Sequence, residues 1–174
     1  MTDGELRELA ASSAVEVQRV CTYFSCLQQL LLAEVEPLLL PAPILPLLAD
    51  AVDGVRLLFQ SDGISLVAHL PDSELIARVH RGKTLEALTR VLLVAHALSE
   101  KNDTVEVIVS VTVDAAHVTV RSTNASARTI NAELSLSVAI AAANLRGQHV
   151  DFYHSLRPFE AHITFGQSWN AKEL

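Results

Sequence analysis

Between Leu6 and Leu31 an apolar or small residue recurs in alternating steps of four and three: Leu6, Ala10, Ser13, Val17, Val20, Phe24, Leu27 and Leu31. This spacing is close to one helical turn, so the side chains form a single lengthwise stripe on a helix. Such a stripe is buried only if another helix lies along it. Asp3 is placed to cap the start, and Pro37 ends the pattern near Glu36. Val17, Val20, Phe24, Leu27 and Leu31 are therefore the predicted contact seam of a homodimer. Tyr23, Cys26, Leu30 and Ala33 make a second apolar face. Cys21 and Cys26 lie about 140° apart on the helix and lack a C-x-x-C spacing, so they are read as small packing residues rather than metal or redox groups.

The next segment, Glu36 to Pro46, reads EPLLLPAPILP. Its prolines remove amide donors and restrict the residues before them, which makes it a stiff connector. A division follows: residues 1–40 form a dimerisation-type helix with a Pro-rich connector, and residues 41–174 form the globular part.

Composition excludes several classes. Half of the 174 residues are hydrophobic and 19% are charged, enough for one buried core. The net charge of -7 with three lysines, Lys83, Lys101 and Lys172, disfavours a surface for nucleic-acid phosphates. The uncharged stretches Val20 to Ala33 and Pro37 to Ala49 are too short to span a bilayer. The N-terminus lacks the charge pattern of a secretory signal. A cytoplasmic protein with no membrane and no nucleic-acid partner is expected.

Within the globular part, apolar periodicity predicts helices over Ile44 to Phe59, Thr84 to Ser99 and Ala132 to Leu145, with Gly147 stopping the last. Alternation predicts strands over Gly63 to Leu70, Leu75 to Val79, Thr104 to Val113, His117 to Arg121, Val150 to Ser155 and His162 to Gln167. The economical packing is an α+β fold, a two-layer α/β sandwich of one helical layer on one mixed sheet, preceded by the long N-terminal helix.

Three strings within this order carry a resemblance. Glu133 to Gln148, ELSLSVAIAAANLRGQ, is similar to the stretch GLGLALARRIVEAHGG of histidine kinase ATPase domains. Arg81 to Leu98, RGKTLEALTRVLLVAHAL, resembles the helix DPERLRQVLLNLLDNAL of the same domains. Val118 to Ser126, VTVRSTNAS, resembles their strand and loop VxDTGPG. The chain from about residue 40 to 168 thus looks like the ATPase domain of two-component sensor histidine kinases, the Bergerat-type fold shared with gyrase, a heat-shock chaperone and MutL. The N-terminal helix looks like part of that family's dimerisation region.

The resemblance implies a nucleotide pocket whose key positions have changed. The family's magnesium-binding asparagine falls on His96, and the polar residue four positions earlier falls on Leu92. Its adenine-reading aspartate falls on Ser122, and loop glycines fall on Asn124 and Ser126. The glycines at the last helix's entrance become Glu133 and Ser135. Magnesium prefers hard oxygen ligands, which Leu92 lacks and His96 supplies poorly. A carboxylate at Glu133 opposes an anion at a helix N-terminus. Ser122 and Ser135 are only 13 positions apart, which leaves little room for a phosphate-covering lid.

The chain's seven histidines, His69, His80, His96, His117, His149, His154 and His162, leave residues 1–68 without one. A phosphoacceptor on the first helix is therefore missing. His149, His154 and His162 lie on neighbouring terminal strands, but alternation does not bring them to one point, so no metal site is expected. The expected protein has no catalytic residues and no cofactor: a non-catalytic, pseudokinase-like member of bacterial two-component signalling. It works as a homodimer that recognises a response regulator or a sensor kinase. The alternatives are a histidine-phosphotransferase-like relay protein and, with more motifs against it, an active ATP-binding histidine kinase.

Overall fold

A computed structural model describes residues 12–14, 16–18, 20–21, 23–28, 31, 38–73, 75–123, 131–156 and 158–166. The described residues between 12 and 31 have helical backbone, while the expected ends of that helix at Asp3 and Glu36 lie outside the described residues. Elements in the remainder run β1 (Leu40–Pro43), α1 (Ile44–Ser61), β2 (Ser65–His69), β3 (Ile76–Val79), α2 (Arg81–Leu98), β4 (Thr104–Val111), β5 (Ala115–Ser122), α3 (Ala132–Leu145), β6 (Val150–Leu156) and β7 (Phe159–Gly166).

Five strands form one sheet in the order β2-β4-β5-β7-β6. β2 runs parallel to β4, and the other pairs are antiparallel. Alternation decides its two faces. Val105, Val107, Val118, Val120, Ala161 and Ile163 point inward and join Leu47, Phe59, Leu88, Leu92 and Val138 of the helices in one core. The opposite face is polar. Glu106 and Arg121 are register partners there and pair at 2.8 Å. His117 shares a hydrogen bond with Thr164, and His162 with Thr119. One apolar and one wet face is what a sheet covered by a single helical layer requires.

The connector holds a strand that its prolines conceal. β1 pairs antiparallel with β3, Leu40 opposite Val79 and Ala42 opposite Ala77. A two-stranded ribbon tolerates Pro41 and Pro43 because alternate positions make no ladder bond. The ribbon also starts α1: the amide of Ile44 donates to Leu75 O at 3.0 Å, in place of a side-chain cap. At the other end Ile64 N reaches Phe59 O at 2.9 Å around Gly63, whose φ is +70°. The turn needs glycine for its conformation, whereas a Cβ there, 3.1 Å from Lys101 Cγ, would ask only a small shift of that exposed side chain.

α2 begins earlier than its apolar pattern suggests, because His80 caps it. His80 Nδ1 accepts from Lys83 N at 3.2 Å. Buried Gln148 then ties this end to the end of α3. Its Oε1 accepts from His80 N at 2.7 Å and from Thr84 Oγ1 at 3.0 Å, and its Nε2 donates to the Asn144 carbonyl. Gly147 at φ 74° ends α3 as expected, but His149 follows at φ 53°. A left-handed conformation is costly for a side-chain-bearing residue. His149→Gly should therefore raise stability by about 1 kcal/mol, readable as a higher urea midpoint at unchanged slope. A lower midpoint would show that the His149 side chain contributes more than its backbone costs.

Candidate functional site: the cleft between the second and third helices

The start of α3 stands beside the second half of α2, and an open cleft of about 500 Å³ separates them. Leu93, Val94 and Ala97 line it from α2, and Asn131, Glu133, Leu134 and Ser137 from α3. Leu93 and Ala97 are one helical turn apart, as are Glu133 and Ser137, so each pair shares a helix face. One wall is apolar and the other polar. Leu93 is 40% exposed although Leu92 and Val94 beside it are buried. Asn131 caps α3 by accepting from Leu134 N through Oδ1 at 2.9 Å. Glu133 sits exposed in the first turn, where its charge compensates the helix dipole.

The predicted pocket residues scatter. Leu92 is fully buried in the core and does not line this cleft. His96 does not line it either: its ring packs edge-on against Phe59 with centroids 4.9 Å apart, and Nε2 approaches Asp62 Oδ2 at 3.0 Å. The distance suits an ion pair but the angle does not suit a hydrogen bond, so Nε2 is buried without one. The physical reason is helix phase. Each residue turns the helix by about 100°, so the face of α2 that lines this cleft belongs to Leu93 and Ala97, while Leu92 and His96 face elsewhere.

Ser122 ends β5 in a sealed position rather than an open one. Its hydroxyl lies 3.3 Å from Ser99 Oγ. Ser99 Oγ also donates to Ala95 O at 2.8 Å, so both hydroxyls are engaged inside the fold. Thr123 is likewise held by the Thr104 carbonyl at 3.0 Å. Asn124 and Ser126 lie outside the described residues. Glu133 lines the cleft, whereas Ser135 is exposed on α3 and its hydroxyl returns to Asn131 O at 3.3 Å. Sequence reading missed Leu93, Val94, Ala97, Asn131, Leu134 and Ser137. The apolar spacing of Leu85, Leu88, Val91, Leu92 and Ala95 in the sequence marks the inward face of α2 and was a usable signal, since Leu93 and Ala97 fall off it.

The terminal histidines do not converge. Tyr153 pairs with His162 and His154 with Ala161, so His154 and His162 point to opposite sides of the sheet. His154 stacks on Phe152 at 5.5 Å. Among the described residues no group of three or more His, Cys, Asp or Glu side chains could hold a metal ion.

The seam residues carry the other prominent surface. Val17, Val20, Phe24, Leu27 and Leu31 are between 53 and 68% exposed. On the second face Tyr23 is half-buried and Cys26 is buried, while Cys21 is exposed and Leu30 and Ala33 lie outside the described residues. Among the described residues no helix is long and apolar enough to cross a membrane.

No family model matches the chain, and no curated protein matches it. Solved structures do. The Acinetobacter baumannii histidine kinase AdeS superposes with a TM-score of 0.66 at 10% identity, covering 97% of this chain and 87% of that one. A histidine kinase from Burkholderia phymatum gives 0.63 at 15% identity, covering 96% and 87%. The catalytic domain of histidine kinase ThkA gives 0.62 at 10% identity, covering 74% and 95%. At such identities the likeness is one of architecture, and it agrees with the sheet order and the single helical layer. This chain has the fold of the histidine kinase ATPase domain.

Proposed function

We propose that this protein is a histidine-kinase-like member of bacterial two-component signalling that does not use ATP and works through protein recognition as a homodimer. Residues 1–40 serve as the dimerising helix and its connector, and residues 41–174 as an ATPase-like domain that has lost nucleotide chemistry. The lining of the α2–α3 cleft carries this reading. A magnesium nucleotide needs oxygen ligands for the metal and backbone or cationic groups for the phosphates. α2 contributes Leu93, Val94 and Ala97 to the cleft, and among the described lining residues the only charge is the carboxylate of Glu133. The α2 wall offers no oxygen ligand where the family resemblance expects the metal-holding group, the described lining has no cation for the phosphates, and the Glu133 carboxylate repels them. No catalytic step is therefore assigned to any side chain.

The exposed seam supports the dimer. Five large apolar side chains in register on one helical face are rare on the surface of a monomer and are removed from water by pairing with a second copy. A response regulator or a sensor kinase is the class of partner that suits such a module.

Calorimetric titration with magnesium and a non-hydrolysable ATP analogue tests the loss of nucleotide binding. The expected outcome is no heat at millimolar ligand. Micromolar binding, about -8 kcal/mol, would restore the active-kinase alternative.

A further inference from the structure

We infer that the α2–α3 cleft binds small amphiphilic ammonium compounds, a step that rests on the reading of this cleft as one that no longer takes nucleotide. Its two walls differ in kind. Leu93, Val94 and Ala97 of α2 form the apolar wall, and across from it α3 presents the oxygen acceptors of Glu133 and Ser137 beside Leu134. A ligand that fills the space must therefore be apolar on one side and hydrogen-bond-donating on the other.

Charge selects among such ligands. The Glu133 carboxylate makes no hydrogen bond or ion pair with the described residues and faces open cleft. Asn131 Oδ1 already accepts from Leu134 N, so the least committed acceptors of the described lining are the Glu133 carboxylate and the Ser137 hydroxyl. An ammonium group satisfies both, whereas a carboxylate or phosphate meets like charge. The volume, about 500 Å³, falls within the range of small-molecule sites, roughly 300–1,000 Å³. An apolar body laid on Leu93 covers the one large apolar side chain that α2 leaves near half exposed. The site thus has the electrostatic preference opposite to that of a nucleotide pocket on the same frame.

Three probes of similar shape and different charge decide the matter in NMR titrations of the full chain: 2-phenylethylammonium, 2-phenylethanol and 3-phenylpropionate. The expected result is amide shifts concentrated at Leu93, Ala97, Glu133 and Leu134, with the ammonium bound about three- to fivefold more tightly than the alcohol and the carboxylate weakest. Glu133→Gln, an exposed first-turn change that leaves the circular dichroism unaltered, should erase the ammonium's advantage while leaving the alcohol's affinity in place. Equal affinity for all three probes, shifts centred elsewhere, or no shifts at millimolar ammonium would each overturn the inference. Magnesium ATP shifting the same amides would overturn the parent reading. Silence from both ATP and ammonium would remove only the ligand class proposed here.

Discussion

Phe24→Asp is expected to convert the protein from a dimer to its 18.8 kDa monomer in sedimentation equilibrium. Phe24 lies at the middle of the described seam, 66% exposed in the single chain, with Val20 and Leu27 on either side. Pairing removes these side chains from water at about 1.5–3 kcal/mol for each one fully buried. An aspartate at the same place keeps the pairing cost of the helices, loses an aromatic contact and adds a desolvated charge facing its own copy across the two-fold. Each effect favours separation. Ser25→Asp is the control, because position 25 turns about 100° from Phe24 and away from the seam; its dimer should persist. Since the seam side chains are already exposed in the single chain, the released monomer should keep the cooperative unfolding of its α/β core. An unchanged mass for Phe24→Asp, or a wild-type chain that sediments as a monomer, would dispose of the homodimer.

The second large effect concerns Leu92, the position at which the family resemblance expects a polar group. Leu92→Asn should destabilise the protein by about 3–5 kcal/mol, the combined cost of deleting a buried leucine side chain and enclosing an amide with few partners. That is a large share of the roughly 5–15 kcal/mol available to a domain, so partial unfolding near 37 °C is expected. Leu92 belongs to the same core as Leu88, Val118 and Ile163, which leaves little polar company for the new amide. The substitution should nevertheless confer no ATP binding, even combined with His96→Asn, because neither residue lines the α2–α3 cleft. Urea denaturation reads the first expectation and calorimetry the second. A stable double variant that gains nucleotide binding would mean that the ligand approaches α2 from the face of Leu92 rather than from that of Leu93.

The contrast between Leu92 and Leu93 shows how far motif matching carries. Matching by residue type selected α2, whose apolar pattern is long and regular. Its positions come by analogy, and neighbouring residues on a helix point about 100° apart, so residue type alone does not say that Leu93 rather than Leu92 lines the α2–α3 cleft. Ser122 shows another limit. The strand read from alternation stops at Arg121, one residue short of Ser122, and the pairing of Ser122 with Ser99 depends on where α2 ends relative to β5, a contact 23 positions apart in the chain. β1 was hidden for a local reason: prolines at 41 and 43 argue against a strand unless the partner's register spares their missing amides.

What the amino-acid sequence determined by itself is the set of elements and the face each one buries. Periods of about 3.6 and of 2 follow from backbone geometry and need no knowledge of neighbours. They sufficed for the three helices of the globular part, for most strands, for the glycine stop after α3 and for the single helical layer on a sheet. Tertiary structure alone decided the strand order β2-β4-β5-β7-β6, the placing of His96 against Phe59 and Asp62, and the meeting of Leu93 and Ala97 with Glu133 and Ser137. These depend on the relative rotation and depth of packed elements. Such quantities are set by how the whole core fills its volume, not by any one segment's pattern.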